Sequence, residues 1–110
     1  MHDRKDLFKD VKKIVVKIGT SSLTRKDGSF NKEFALSIAK QVSELKGKGK
    51  EIILVSSGAI GTGCEALGFV ERPKSIPLKQ ATAAVGQSIL MQEWTKVFEK
   101  YGLKVAQILL

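Results

Sequence analysis

The sequence predicts an α/β fold built on a mainly parallel sheet. Two short runs rich in β-branched residues, 13–18 and 51–56, have the continuous apolar character of strands buried in a parallel sheet. Between them, apolar residues recur at helical spacing from Phe34 to Leu45. A strand, a helix of about fifteen residues and a second strand form a βαβ unit, in which the crossover is right-handed and the strands are parallel.

The first strand ends in a lysine followed by small residues, which suggests a phosphate site. Lys17 supplies a compact charge on a flexible stem, and Gly19, in a tight loop, allows the backbone an unusual φ and a close approach to a ligand. Thr20 and Ser21 offer hydroxyl and N–H groups to anionic oxygens. The alternative is a lysine that reaches solvent at a strand end. The order differs from the Walker A motif, in which the lysine follows the glycine-rich loop.

The second strand is followed by Ser57-Gly58-Ala59, which opens a short helix predicted to run through Leu67 and to end at Gly68. A helix N-terminus carries unpaired N–H groups and binds carboxylate or phosphate. In parallel sheets ligands lie at the carboxyl ends of the strands, so the two loops should share one edge. The alternative is a plain strand-to-helix turn that uses glycine for steric reasons.

Two longer helices are predicted. The first follows Asn31, a favourable N-cap residue, and ends at Gly47 or Gly49. After an irregular connection over residues 69–77, the second covers residues 78–101 as one helix or two in series.

The remaining apolar residues predict the core and a further strand. Trp94 is expected in the core or at an interface, and residues 103–110 are predicted to form a third strand. Because domains seldom end on a fresh apolar strand, we expect the sequence to be the front portion of a longer protein. The small residues Ala83, Ala84 and Gly86 are expected to permit close packing of another helix on the long helix. The apolar stripe of that helix is predicted to consist of Leu78, Ala81, Val85, Ile89, Val97 and Phe98.

Composition limits the class of protein. The 110 residues suffice for one domain, and a net charge of +8 is compatible with a nucleic-acid surface or an anionic substrate. We expect no nucleic-acid partner, because the lysines are dispersed among acids with little aromatic interleaving. No apolar stretch approaches the ~20 residues of a membrane span, and the charged start is not a signal peptide. The single cysteine, Cys64, fits the cytoplasm and a buried apolar role, and His2 is expected to be solvated.

Three motifs together resemble the amino acid kinase superfamily: residues 15–21, residues 55–60, and Lys79-Gln80 with residues 83–88. Residues 101–102 followed by 105–110 fit the same pattern. The resemblance covers residues 13–110, which would be the N-terminal part of an incomplete kinase domain, and leaves residues 1–12 as an N-terminal extension. It implies a three-layer αβα sandwich with a mainly parallel sheet.

The resemblance also implies an activity, namely transfer of the γ-phosphoryl group of ATP, with Mg²⁺, to the side-chain carboxylate of L-glutamate. The product, glutamyl 5-phosphate, starts proline synthesis. Such a protein would be a cytoplasmic homo-oligomer. The implied catalytic residue is Lys17, the ATP and phosphate contacts are Lys17, Gly19, Thr20 and Ser21, the glutamate contacts are Ser57, Gly58 and Ala59, and no metal ligand is assigned.

Other functions stay open at this point. A sister kinase would act on aspartate, acetylglutamate or carbamate. A dinucleotide-binding module could use Gly58, Gly61 and Gly63, although their order is G-x-x-G-x-G rather than G-x-G-x-x-G. A non-catalytic binding or assembly domain is the fourth reading. Because no adenine pocket or acidic magnesium cluster can be assigned, we expect residues 1–110 alone to lack kinase activity and to self-associate.

Overall fold

A computed structural model describes residues 9–107 of the chain. The predictions for His2 and for most of the N-terminal extension therefore lie outside the described residues. Within them, the elements in chain order are β1 (Lys13–Ile18), α1 (Thr20–Leu23), α2 (Lys32–Gly47), β2 (Glu51–Ser56), α3 (Ala59–Leu67) and α4 (Ile76–Glu99).

The two strands pair in parallel, as predicted, and their bounds match the two apolar runs. The register pairs Lys13 with Glu51 at one end and Ile18 with Ser56 at the other. With α2 between them, the strands form the expected βαβ unit. In the described part of the chain the sheet has these two strands only.

The described residues cover one face of the sheet, so the expectation of buried strands holds for that face only. Val16, Ile18 and Leu54 face the hydrophobic core. On the opposite face Val15 is 59% exposed, and Ile53 and Val55 are also exposed. The reason is that all of the described helices that contact the core pack on the same face, which leaves an open apolar face beside Lys17.

Helix α2 begins and ends where the sequence predicts. The side chain of Asn31 accepts a hydrogen bond from the Phe34 N–H at 3.2 Å, which caps the first turn. The last helical residue is Gly47, and Gly49 follows with φ of 82°. Ala35, Ala39 and Val42 form its buried face, consistent with the predicted helical spacing.

The connection between α1 and α2 is a closed turn. Arg25 N–H donates to the Ser29 carbonyl at 2.8 Å, and Arg25 also pairs with Glu33. The hydroxyl and the N–H of Ser29 both donate to the Asp27 carboxylate, and these hydrogen bonds lower the pKa of Asp27.

Helix α4 is longer at its start than predicted. It begins at Ile76, because Ser75 caps it by accepting from the Leu78 N–H at 3.3 Å and because Pro77 is tolerated in the first turn. It ends at Glu99 rather than Tyr101, and Gly102 follows with φ of 68°.

The buried face of α4 differs from the predicted stripe. Leu78 and Val85 are exposed. The predicted stripe followed the large apolar residues, whereas the N-terminal half of α4 contacts α3 through its small residues. Only Val97 and Phe98 of the predicted stripe lie on the buried face, which consists of Thr82, Gly86, Leu90, Trp94, Val97 and Phe98.

Two glycines allow α3 and α4 to cross closely. A Cβ atom on Gly63 would lie 2.0 Å from the Thr82 carbonyl oxygen, and one on Gly86 would lie 1.6 Å from the Ala59 carbonyl oxygen. This confirms the expectation that the small residues around Gly86 permit close helix packing. Lower on α4, Trp94 makes an edge contact with Phe30 and stacks on Phe98, with ring centroids 5.8 and 5.6 Å apart.

The predicted third strand is not formed over residues 103–107, and residues 108–110 lie outside the described range. Leu103 and Val105 pack against the core in a strand-like alternation with exposed neighbours. The apolar pattern is therefore real, but it is not accompanied by ladder hydrogen bonds. Over residues 9–107, no helix combines the length and apolar character that crossing a membrane requires.

Candidate functional site

The ends of the two strands lie side by side and are joined by hydrogen bonds. The backbone N–H and the hydroxyl of Ser57 each donate to the Ile18 carbonyl oxygen, both at 3.1 Å. The Thr20 hydroxyl in turn donates to Ser57 Oγ at 3.3 Å. The two segments that the sequence singles out thus form one edge of the molecule. Their roles toward ligands stay predictions.

The segment after β1 is a single helical turn rather than the predicted loop. Gly19 caps it with φ of −81° and ψ of 162°, so the turn does not use the unusual φ that glycine allows. A Cβ atom on Gly19 would meet nothing within 4 Å, so the space above it is open to a ligand. The N–H groups of Thr20 and Ser21, in the first turn of α1, have no backbone acceptor among the described residues.

Lys17 projects from the open face of the sheet at this edge. It is exposed, and it makes no ion pair or hydrogen bond with any residue of the described range. Lys13 lies on the same face four residues earlier, and its Nζ atom is instead 3.9 Å from Glu51 Oε2. The Lys17 ammonium group is therefore available to an anion from solution.

The segment after β2 presents a second set of N–H groups. Gly58 is the N-cap of α3 with φ of 108°, and it offers no side chain to cap the helix. Its carbonyl accepts from the Thr62 N–H at 2.9 Å, which is the first hydrogen bond of the helix. The N–H groups of Ala59 and Ile60 come before it in the first turn and have no described acceptor. These groups and the positive end of the helix suit a carboxylate or phosphate oxygen.

The Ser57 hydroxyl is already engaged. Its one proton is directed at the Ile18 carbonyl and one of its lone pairs accepts from Thr20. A carboxylate only accepts hydrogen bonds, so Ser57 must turn its proton away from Ile18 to donate to one. The backbone N–H groups at the start of α3 need no such change.

Two contacts from α4 hold this second segment, and sequence reasoning missed both. The Trp94 indole N–H donates to Ser56 Oγ at 3.3 Å, one residue before Ser57. Gly86 lies directly against the Ala59 carbonyl. The small residues near Gly86 were a signal for close packing, but nothing in the sequence identified Ala59 as the partner.

The two other glycines of α3 differ in their surroundings. Gly63 is pressed against α4, so close packing accounts for it without a pyrophosphate ligand. A Cβ atom on Gly61 would make only an ordinary contact, 3.8 Å from Arg72 Nη2, so packing does not explain that glycine. Cys64 is buried, in agreement with its predicted apolar role.

The described residues contain no cluster of metal ligands. Within residues 9–107 there is no group of three or more His, Cys, Asp or Glu side chains that could hold a metal ion. The edge itself offers one lysine and two sets of backbone N–H groups, which are suited to placing anionic groups.

Gly58→Ala should cost about 1–2 kcal/mol of stability, because an alanine is strained at φ of 108°. The new methyl group would meet only ordinary contacts, the nearest being Thr24 Cγ2 at 3.6 Å. Gly68→Ala is the matched control, since Gly68 also has positive φ but lies at the far end of α3. Both variants should unfold at lower urea concentration, and only Gly58→Ala should weaken a ligand at the strand edge. Equal ligand binding by the two variants would contradict a ligand role for this turn.

Comparison with known proteins shows extensive similarity. The model of the amino acid kinase family matches residues 12–110. The chain is 62% identical over 110 residues to the glutamate 5-kinase of Methanococcoides burtonii, covering 100% of this chain and 29% of that protein. It is 60% identical over 117 residues to the glutamate 5-kinase of Methanosarcina acetivorans, covering 100% of this chain and 30% of that protein. For the glutamate 5-kinase of Clostridium tetani the identity is 51% over 108 residues, covering 98% and 40%. The chain thus spans about a third of the length of these curated relatives.

Proposed function

The chain belongs to the amino acid kinase family, and we propose that it contributes to an ATP-dependent glutamate 5-kinase. The reaction is transfer of the γ-phosphoryl group of ATP to the side-chain carboxylate of L-glutamate, which forms glutamyl 5-phosphate for proline synthesis. The observation that carries the proposal is the edge at which the end of β1, with Lys17, and the turn into α3 meet, joined by the Thr20–Ser57 hydrogen bond. No described residue forms an ion pair with Lys17. The close relatives named glutamate 5-kinase support the choice of substrate.

The β1 side of the edge is assigned to the phosphate groups. Lys17 neutralises charge on the transferring group, and the N–H groups of Thr20 and Ser21 contact phosphate oxygens above the open space at Gly19. Phosphoryl transfer needs mainly positioning and charge neutralisation, with little covalent work by the protein. One mobile cation and fixed N–H dipoles supply both.

The β2 side is assigned to glutamate. The N–H groups of Gly58 and Ala59 and the hydroxyl of Ser57 hold the side-chain carboxylate so that one of its oxygens faces the phosphate. The positive end of α3 stabilises the carboxylate. Because the two sides are bonded to each other through Ile18 and Thr20, the two reactants are held at a fixed separation.

The proposal is tested by trapping the acyl phosphate with hydroxylamine. The intact protein should form a hydroxamate with ATP and glutamate, and little with aspartate, acetylglutamate or carbamate at equal concentration. ADP release should depend on glutamate to the same degree. A clear preference for one of the other acids would place the protein with a sister kinase, and no ADP release with any of them would support a non-catalytic role.

Ser57→Ala should raise the KM for glutamate by about 5- to 30-fold, which corresponds to roughly 1–2 kcal/mol for one hydrogen bond to a charged group. The KM for ATP should change little. Ser43→Ala, on α2 and without a described side-chain hydrogen bond, is the control and should leave both constants unchanged. If the loss appears in the KM for ATP instead, the assignment of the two sides of the edge is reversed.

The open face of the sheet supports a further structural proposal. Val15, Ile53 and Val55 are too exposed for a finished parallel sheet, which is normally covered on both faces. We assign to the intact protein the three-layer αβα sandwich, with a second helix layer on this face. The proposal includes the use of Mg²⁺, although no group of three or more His, Cys, Asp or Glu side chains occurs among residues 9–107.

A cytoplasmic homo-oligomer, without a nucleic-acid partner, completes the proposal. It is supported by exposed apolar side chains where α3 leads into α4, among them Val70 and Ile76. Light scattering on the intact protein tests the assembly, and a monomer at micromolar concentration would contradict it.

A further inference from the structure

A cationic hollow adjoins the first turn of α3, and neither Lys17 nor Ser57, Gly58 or Ala59 lines it. It has a volume of about 350 Å³ and is formed by the connection after α3 and the first turns of α3 and α4. Its lining combines two apolar residues, Ile60 and the buried Pro73, with three cations, Arg72, Lys74 and Lys79. No acidic residue lines it.

The three cations are not neutralised by the protein. Among residues 9–107, none of them lies within 4 Å of a carboxylate, although Glu65 and Glu71 are close in sequence. The other dense cluster of lysines, residues 46–50, adjoins the C-terminal end of α2, where the helix dipole favours cations. The cations of the hollow have no such compensation, so they repel one another.

Besides the repulsion among the cations, Arg72 is placed unfavourably close to the positive end of a helix dipole. Its Nη2 atom lies 3.8 Å from the position of a Cβ atom on Gly61, so the guanidinium group rests on the first turn of α3. That turn is the positive end of the helix dipole, and the Ile60 N–H has no described acceptor. A guanidinium group is poorly placed there unless an anion lies between the two.

We propose that this hollow binds a small, multiply charged oxyanion, carrying phosphate or several carboxylate groups. Arg72 supplies a planar fork for two oxygens, Lys74 and Lys79 supply point charges, and Ile60 and Pro73 supply an apolar wall. The bound anion ties the connection after α3 to both helices, because its contacts come from all three. The site is separate from Lys17 and its existence does not depend on the proposed kinase activity.

The test is calorimetric titration of the intact protein with pyrophosphate and with citrate, at constant ionic strength. A triple variant, Arg72→Gln with Lys74→Gln and Lys79→Gln, should bind the preferred anion at least tenfold more weakly. The control triple, Lys40→Gln with Lys48→Gln and Lys100→Gln, removes the same charge from exposed positions without a described ion pair and should change the affinity by less than twofold. Lys17→Met, which removes the other anion-binding cation, should leave this binding intact.

The outcomes separate the alternatives. Tighter binding of pyrophosphate identifies a phosphate ligand, and tighter binding of citrate a carboxylate ligand. The proposal is overturned if neither anion binds, if the control triple weakens binding as much as the hollow triple, or if Lys17→Met abolishes it. Should the triple variant fail to give a native circular dichroism spectrum, Arg72→Gln alone carries the test, with an expected loss of at least threefold. Because the titration requires no turnover, a failure of the kinase assay would leave its result interpretable.

Discussion

Lys17→Met should lower kcat by about 100-fold or more, which corresponds to roughly 2.7 kcal/mol of lost transition-state stabilisation. Lys17 is exposed, makes no ion pair or hydrogen bond with a described residue and stands at the edge that we propose binds the phosphate groups. Methionine keeps the unbranched shape of the side chain and removes the charge. Folding should be little affected, since no described ion pair or hydrogen bond is lost.

The control for this experiment is Lys13→Met. Lys13 lies on the same face of the same strand, and its exposed pair with Glu51 at 3.9 Å contributes little to stability. Turnover by the Lys13→Met variant should stay within about threefold of the wild type, measured as glutamate-dependent ADP release by the intact protein. Equal turnover by the two variants would contradict the proposed role of Lys17 in neutralising charge on the phosphoryl group.

Gly86→Ala should be the most destabilising single substitution in the crossing of α3 and α4, with an expected loss of at least about 3 kcal/mol. The new methyl group would lie 1.6 Å from the Ala59 carbonyl oxygen and 2.7 Å from the Gly63 backbone nitrogen. Both are backbone atoms, so no side-chain rotation relieves the overlap. The helices must separate, and the turn into α3, to which we assign glutamate, moves with Ala59.

The matched control is Gly47→Ala at the last residue of α2. A methyl group there would meet nothing within 4 Å, and alanine has the better helix propensity, so stability should rise by about 0.5–1 kcal/mol. Urea unfolding followed by circular dichroism measures both variants. A Gly86→Ala protein as stable as the wild type would show that the close crossing is absent in solution.

The sequence predicted the parts of the fold that depend on local pattern. Both strands and the Asn31 cap follow from apolar periodicity and a side chain that satisfies the first helical N–H groups. The meeting of the two loops also followed, because parallel strands joined by one helix bring their carboxyl ends to one edge.

The errors arose where tertiary contacts decide. The buried stripe of α4 was assigned to large apolar residues, but the crossing with α3 is set by Gly63 and Gly86. Hydrophobic periodicity does not identify glycines as contact residues. Residues 103–107 alternate as a strand does, yet a strand also needs a partner edge, which periodicity cannot supply. The freedom of φ at Gly19 was inferred from residue type alone, whereas the turn after β1 uses an ordinary φ there.

The central claim is that the edge holds phosphate at β1 and glutamate at the start of α3. The most direct test is a crystal structure of the intact protein with glutamate and a non-hydrolysable ATP analogue. The account predicts Lys17 Nζ at hydrogen-bond distance, about 3 Å, from a terminal phosphate oxygen, and the glutamate side-chain carboxylate at a similar distance from the N–H of Gly58 or Ala59. A terminal phosphate bound away from Lys17, or a glutamate carboxylate that makes no contact with Ser57, Gly58 or Ala59, would contradict it.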